Sequence, residues 1–237
     1  MDDYLKKTTL LNLTHSRLID LVERRGWLNL PKQQQIREIF DYVKNEIVFG
    51  YNKVCDVPAS RVLLDGYGCG NSKSILLMAL LRVCDIPCRF HAVTIDKKLR
   101  KSVISKIAYY FIPRNVVDSW VEIYFELNWV RLEGYIFDHI YLKCIQEGID
   151  NVEGTYFDSS IASQGTQPDR RIKSINYDYG VFDCPDDFYQ KHTANLTMLK
   201  VWLFKHLVRN QTNNKLSQIR QGYDGKHGAL NVSRAGQ

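Results

Sequence analysis

The stretch Asp65-Gly-Tyr-Gly-Cys-Gly-Asn-Ser-Lys73, running on into Ser74-Ile-Leu-Leu-Met-Ala-Leu-Leu-Arg-Val-Cys84, decides how this chain is read. A glycine-rich turn opens into a segment, about 71–84, that is apolar nearly all round. A helix of that kind is buried on most sides and lies at the centre of its domain. Cys69 stands at its mouth. A thiol there is a candidate nucleophile, because a helix N-terminus lowers a thiol pKa and its spare N–H groups can hold an oxyanion. Asp85-Ile-Pro87 ends the helix.

Working outward, residues 14–25 read as a helix with Leu18, Ile19, Leu21 and Val22 on one side and Gly26 as its stop. Pro31 suits the first turn of the next helix, in which Ile36, Ile39, Phe40, Val43 and Ile47 recur at helical spacing. Residues 49–65 read as loop. Beyond the central helix, 88–95 has strand composition, and 96–117 reads as a basic and aromatic insertion. Two strands, 119–125 and 129–133, are joined by a turn short enough for a hairpin. Their alternation sets Val121, Ile123 and Phe125 on one face and Asp118, Trp120, Glu122 and Tyr124 on the other. Val130 and Leu132 likewise oppose Trp129, Arg131 and Glu133, with the apolar sets toward a core. A helix is expected over 137–147, loop over 151–183, an amphipathic helix over 193–209, and a frayed tail after 221. Helices, a buried helix and then antiparallel strands make an α+β plan.

Composition excludes several classes. With 237 residues, 45% hydrophobic and 24% charged, one domain with decorations is expected. Cys55, Cys69, Cys84, Cys88, Cys144 and Cys184 are irregularly spaced, which suits a reducing compartment rather than a disulfide scaffold. Cys84 and Cys88 lack a second close Cys or His pair, so no metal and no cofactor are expected. The net charge of +6 is spread over Lys97, Lys98, Arg100, Lys101 and Lys106 and over the stretch 191–234, and reads as solvated faces. No nucleic-acid signature and no membrane span stand out, so a soluble cytoplasmic protein is expected.

Three segments carry a family resemblance: Gly66-Tyr-Gly-Cys-Gly-Asn-Ser-Lys with Ala79-Leu-Leu-Arg-Val-Cys-Asp-Ile-Pro-Cys-Arg89; Asp118-Ser-Trp-Val-Glu-Ile-Tyr124; and Trp129-Val-Arg-Leu-Glu-Gly134. Together they resemble a transglutaminase-like domain of the papain-like cysteine-enzyme class. The resemblance implies an α+β fold with a buried central helix packed on an antiparallel sheet. Its core would span about 41–138, with extensions over 1–40 and 139–221. It also implies a Cys at the helix start, a His opening the first hairpin strand and an Asp or Glu ending the second. The thiolate of such a triad attacks an amide or thioester carbonyl and passes the acyl group to an amine or water.

Carried over residue by residue, the thiol position falls on Gly70, the imidazole position on Asp118 and the acid on Glu133. Cys69 stands one residue early. Imidazole, with a pKa near ~6.5, takes a thiol proton and returns it to the leaving group. A carboxylate near ~3.9 is a weak base toward a thiol near ~8.5 and has no proton to give at neutral pH. Moving the sulfur one position along a helix turns it by about 100°. The leading expectation is an enzyme with a rewritten triad, acting on an acyl- or amide-type small molecule or peptide. Asp118 and Glu133 would be its acid/base pair, in a cyclisation or an acyl transfer, with Cys69 as nucleophile or bystander. The alternatives are a pseudoenzyme that binds a peptide or acyl ligand, and an ordinary thiol acyltransferase or amidohydrolase using Cys69. Trp120, Tyr67, Tyr51, Gly70 and Asn71 are the candidate substrate contacts, although packing explains Trp120, Trp129 and the tyrosines as well. His91 reads as a satisfied polar residue and His139 as a helix start that points away.

Overall fold

The computed structural model describes residues 1–97, 114–146, 175–192 and 209–234. A 3-10 turn at Asp2–Leu5 leads to α1 (Ser16–Arg25), which is capped by the His15 ring and closed by Gly26 at φ 64°. Next come a 3-10 turn at Trp27–Asn29, α2 (Lys32–Asn45) and the two-residue strand β1 (Val48–Phe49). The segment expected as loop contains a helix, α3 (Ala59–Asp65), with Pro58 before it and Gly66 after it at φ 70°. Those two residues are its start and stop signals, and the seven residues between them are too few for a helical period to stand out. Gly66 delivers the chain into β2 (Tyr67–Gly68), which pairs parallel to β1 and presents the glycine turn to α4 (Gly70–Val83).

Every residue of α4 from Gly70 to Arg82 is buried. The aliphatic run 75–81 is fully enclosed by α1, α2 and α3 on one side and by the sheet on the other. Each of its large side chains contributes about 1.5–3 kcal/mol of hydrophobic burial. The exit is tied down by Arg82, which donates to the carbonyls of Lys6 (2.6 Å), Cys88 (2.8 Å) and Asp183. Asp85, at φ 54°, makes the turn into the sheet.

The main sheet has the order β5-β4-β3-β6 and is antiparallel throughout, with β3 (Cys88–Asp96), β4 (Asn115–Phe125), β5 (Asn128–Leu132) and β6 (Ile175–Phe182). The expected hairpin forms through Glu126 and Leu127, both at positive φ. β4 begins four residues earlier than the reading had it, because Asn115, Val116 and Val117 pair with Asp96, Ile95 and Thr94. The expected loop before 183 ends in β6, whose ladder to β3 carries two irregularities, one beside Gly180 at φ 82°. Interrupted pairing of this kind weakens a period-two signal in the sequence. Val121 and Ile123 enter the core as expected, but Val130 on the edge strand is 41% exposed.

Helices α5 (His139–Gln146), α6 (Pro185–His192) and α7 (Arg209–Arg234) complete the described chain. The tail read as frayed from 222 continues as helix to Arg234. The amphipathic helix expected over 193–209 lies outside the described residues except for Arg209, and so does most of the insertion expected over 96–117. α7 is anchored by Asn213, whose amide both accepts from and donates to the Tyr51 backbone, at 2.8 and 3.0 Å. Arg220 adds a charged bond to the fully buried Asp138 at 2.6 Å. Among the described residues no helix is long and apolar enough to cross a membrane.

Candidate active site

The site is built at the first turn of α4. Cys69 is its N-cap, extended at φ −86° and 4% exposed. Its N–H donates to Ser72 Oγ at 2.9 Å, while its sulfur accepts the Ser72 N–H, a capping box with a thiol in the place usually held by a hydroxyl or carboxylate. The Ser72 hydroxyl has one proton, and its shortest acceptor is Asn52 Oδ1 at 2.6 Å. The Asn52 amide is held in turn by Asp65 and the Tyr67 carbonyl, at 3.0 and 3.1 Å. Gly68 must be glycine here, since a Cβ would come within 2.8 Å of Ser72 Oγ and 2.9 Å of Lys73 Cγ.

Gly70 and Asp118 face each other. A Cβ built on Gly70 would lie 2.6 Å from Asp118 Oδ1, with Ile136 Cδ1 at 3.4 Å. Positions 70 and 118, assigned from the resemblance, are therefore brought together by the fold. Asp118 is 7% exposed and sits in a run, 118–121, whose four positions are all buried. Strict alternation does not hold around α4. Asp118 abuts Gly70, while its neighbour Ser119 bonds Asn71 Oδ1 at 2.9 Å and Ser74 Oγ at 3.0 Å. Asn71 also donates to the Val117 carbonyl at 3.3 Å. Ser74 meets the Tyr135 hydroxyl at 2.6 Å. The first turn of α4 is thus locked to β4 through side-chain hydrogen bonds.

The third position is tied up differently. Glu133 follows β5 and forms an ion pair with Arg131 of the same segment. The Arg131 guanidinium lies 3.5 Å from the centre of the Trp120 ring, and the His91 ring stacks on Trp120 at 4.0 Å. Trp120, 6% exposed, is therefore packed by two side chains. His91 is satisfied, with Nδ1 3.2 Å from Glu122 and Nε2 2.7 Å from Asp178. Burial raises the Glu122 carboxyl, but bonds from Trp120, Arg89 and His91 outweigh it and hold the group below its usual range. His139 contacts Asn45 at 3.3 Å, His15 caps α1, and His192 packs among Tyr179, Phe182 and Phe188. Tyr51 is buried against Phe49, and Tyr67 is half-buried over Gly50.

Several participants escaped the sequence reading. Lys73 is fully buried, donating to the carbonyls of Lys44 (3.1 Å) and Ile136 (3.0 Å), and burial brings its pKa down to about 7. A lone lysine in an apolar helix was the available signal. Asp138 had none. Burial raises its carboxyl, yet Arg220 and the N–H groups of Phe49 and Tyr141 more than reverse that and hold it low. Cys84 and Cys88, at the far end of α4, are pushed up to about 11 by burial, which keeps them as unreactive thiols. No disulfide joins the six cysteines, and among the described residues no group of His, Cys, Asp and Glu could hold a metal ion.

Residues 23–134 match the model of the transglutaminase-like superfamily. No curated protein matches the chain. A crystal structure of a candidate cysteine protease from Cytophaga hutchinsonii is similar at 13% identity and a TM-score of 0.44, over 78% of this chain. This chain spans 47% of that protein, and a likeness so loose carries no weight for function. The matched segment holds the glycine turn, α4, β3 and the β4–β5 hairpin in the order the motifs imply. Residues 23–134 are thus similar to the transglutaminase-like superfamily, and they fold as mixed helix and sheet with the central helix packed on an antiparallel sheet.

Proposed function

We propose that this chain is a transglutaminase-like protein that keeps the scaffold of a superfamily of cysteine-based acyltransferases and hydrolases, but holds a peptide- or acyl-type ligand without thiol chemistry. One observation carries the reading: the 2.6 Å approach of Asp118 Oδ1 to the place where a side chain at position 70 would begin. A sulfur at 70 would need that carboxylate to move. Glycine and aspartate together offer neither a nucleophile nor a base matched to a thiol. Cys69 is a poor substitute, because its sulfur serves as the helix cap and His15, His91, His139 and His192 are engaged elsewhere.

The rewritten enzyme is the second reading. Asp118 lies in β4 and Glu133 just follows the neighbouring β5, and orientation alone can lower an intramolecular barrier by roughly 7 kcal/mol or more. Against it stands the ion pair with Arg131, which already engages the Glu133 carboxylate. The deciding experiment incubates the wild type, Cys69→Ala, Asp118→Asn and Glu133→Gln with acyl-glutamine peptides and thioesters, and follows product by mass spectrometry. Binding without product in all four is the expected result. Turnover lost only in Cys69→Ala would establish thiol chemistry, and turnover lost in both carboxylate variants would establish the rewritten enzyme.

A further inference from the structure

Strand β6 lies outside the matched segment and joins β3 across a bulge. Ala92 pairs with Gly180 and Val93 with Asp178, so Tyr179 has no rung of its own. Gly180 turns there at φ 82°, and its N–H donates to Asp178 Oδ1 at 2.7 Å. The same oxygen lies 2.7 Å from His91 Nε2 of β3. The other ring nitrogen, Nδ1, lies 3.2 Å from Glu122 Oε1 of β4.

Both nitrogens of one imidazole therefore face carboxylate oxygens. A neutral ring has one N–H and one lone pair, so it bonds one carboxylate and sets its lone pair against the other. The imidazolium donates to both. Glu122 is the fixed partner, because Oε2 also accepts from Arg89 at 2.7 Å and Oε1 from the Trp120 indole N–H at 3.1 Å. The neighbouring charges call for the same cation. Arg89 on β3 and Arg131 on β5 supply two positive charges, while Glu122 on β4, Glu133 after β5 and Asp178 on β6 supply three negative ones. Asp118, also on β4, abuts Gly70 instead. The Trp120 ring, stacked on His91 at 4.0 Å, offers its π face to a charged imidazole.

We infer that His91 is a proton-operated clasp that fastens β6 to the sheet, closed while its ring carries both protons and open once it loses one. Asp178 is half exposed, whereas Glu122 is held by two further donors, so the Asp178 bond is the one that gives way. Its release also loosens the cap on the Gly180 N–H at the bulge. Because β6 ends at Phe182 and α6 begins at Pro185, the clasp governs how firmly this part of the C-terminal extension rides on the domain. The sign follows from the proton count: the fastening is complete near pH 6 and weakens as pH rises.

Two measurements on the full chain test this, and neither involves a ligand. Nitrogen-15 NMR of the histidine rings at pH 7 should show protons on both His91 nitrogens in wild type. Asp178→Asn should show one bare nitrogen, since the new amide can donate to it. A bare nitrogen in the wild type would overturn the clasp. Hydrogen exchange at Gly180, expressed as protection relative to an unstructured amide, should lose about tenfold between pH 6 and pH 9, with the β3–β4 ladder within about twofold. In Asp178→Asn that loss should disappear. Protection at Gly180 that ignores pH in the wild type, or the same loss in Asp178→Asn, would contradict a clasp made by His91 and Asp178.

Discussion

The two ends of α4 are equally buried and chemically opposite. From Ile75 to Leu81 the helix is enclosed by aliphatic neighbours, and any side chain of similar volume serves there. From Cys69 to Ser74 it is enclosed by polar groups, each spoken for: Ser72 by Asn52, Ser74 by Tyr135, Asn71 by Ser119 and Val117, and Gly70 abutted by Asp118. The apolar end stabilises through area, the polar end through satisfied partners. Substitutions should therefore cost by volume in the first region and by orphaned partner in the second.

The largest effect should come from the apolar end. Leu77→Ala should cost about 2–5 kcal/mol in urea unfolding with no new Cys69 reactivity under native conditions. A cost below about 1 kcal/mol would mean the helix is less tightly enclosed than its zero exposure implies. At the boundary lies Lys73, whose folded pKa of about 7 is depressed from 10.5. Between these values the unfolded chain binds more protons, so stability rises with pH and is lost as pH falls toward 7. Unfolding measured from pH 7 to 8, below the range where the thiols of the unfolded chain begin to ionise, should show this slope in wild type. Lys73→Met should flatten it, and an identical slope in the variant would contradict the assignment.

Smaller effects belong to the polar end. Gly70→Ala should cost about 1–3 kcal/mol through overpacking against Asp118, and Asp118→Ala should relieve most of it in the double variant. Additive costs in that cycle would mean that the two positions do not press on each other. Tyr135→Phe leaves Ser74 without its 2.6 Å partner and should cost about 1 kcal/mol.

The same division explains what was legible beforehand. Apolar runs and strand alternation located α4, β3 and the β4–β5 hairpin, because hydrophobic periodicity is a local property of the chain. Helix α3 was hidden because its seven residues between Pro58 and Gly66 are too few to show a period, and β6 because its ladder shifts register between Asp178 and Gly180 and again between Ile175 and Tyr177. The resemblance assigned positions 70, 118 and 133, and the fold sets 70 and 118 against each other. It did not indicate that Arg131 claims Glu133 or that Lys73 is buried. Such pairings depend on tertiary geometry, which periodicity does not encode.

The central claim is that Gly70 and Asp118 occupy the superfamily's thiol and imidazole positions. Its most direct test is the pH dependence of iodoacetamide alkylation at residue 70 in the Gly70→Cys/Asp118→His double variant. If the positions correspond, alkylation should show a thiolate already formed well below the ~8.5 of an ordinary cysteine, as an imidazolium partner requires. A thiol at position 70 that titrates like an ordinary cysteine in a folded double variant would contradict the account.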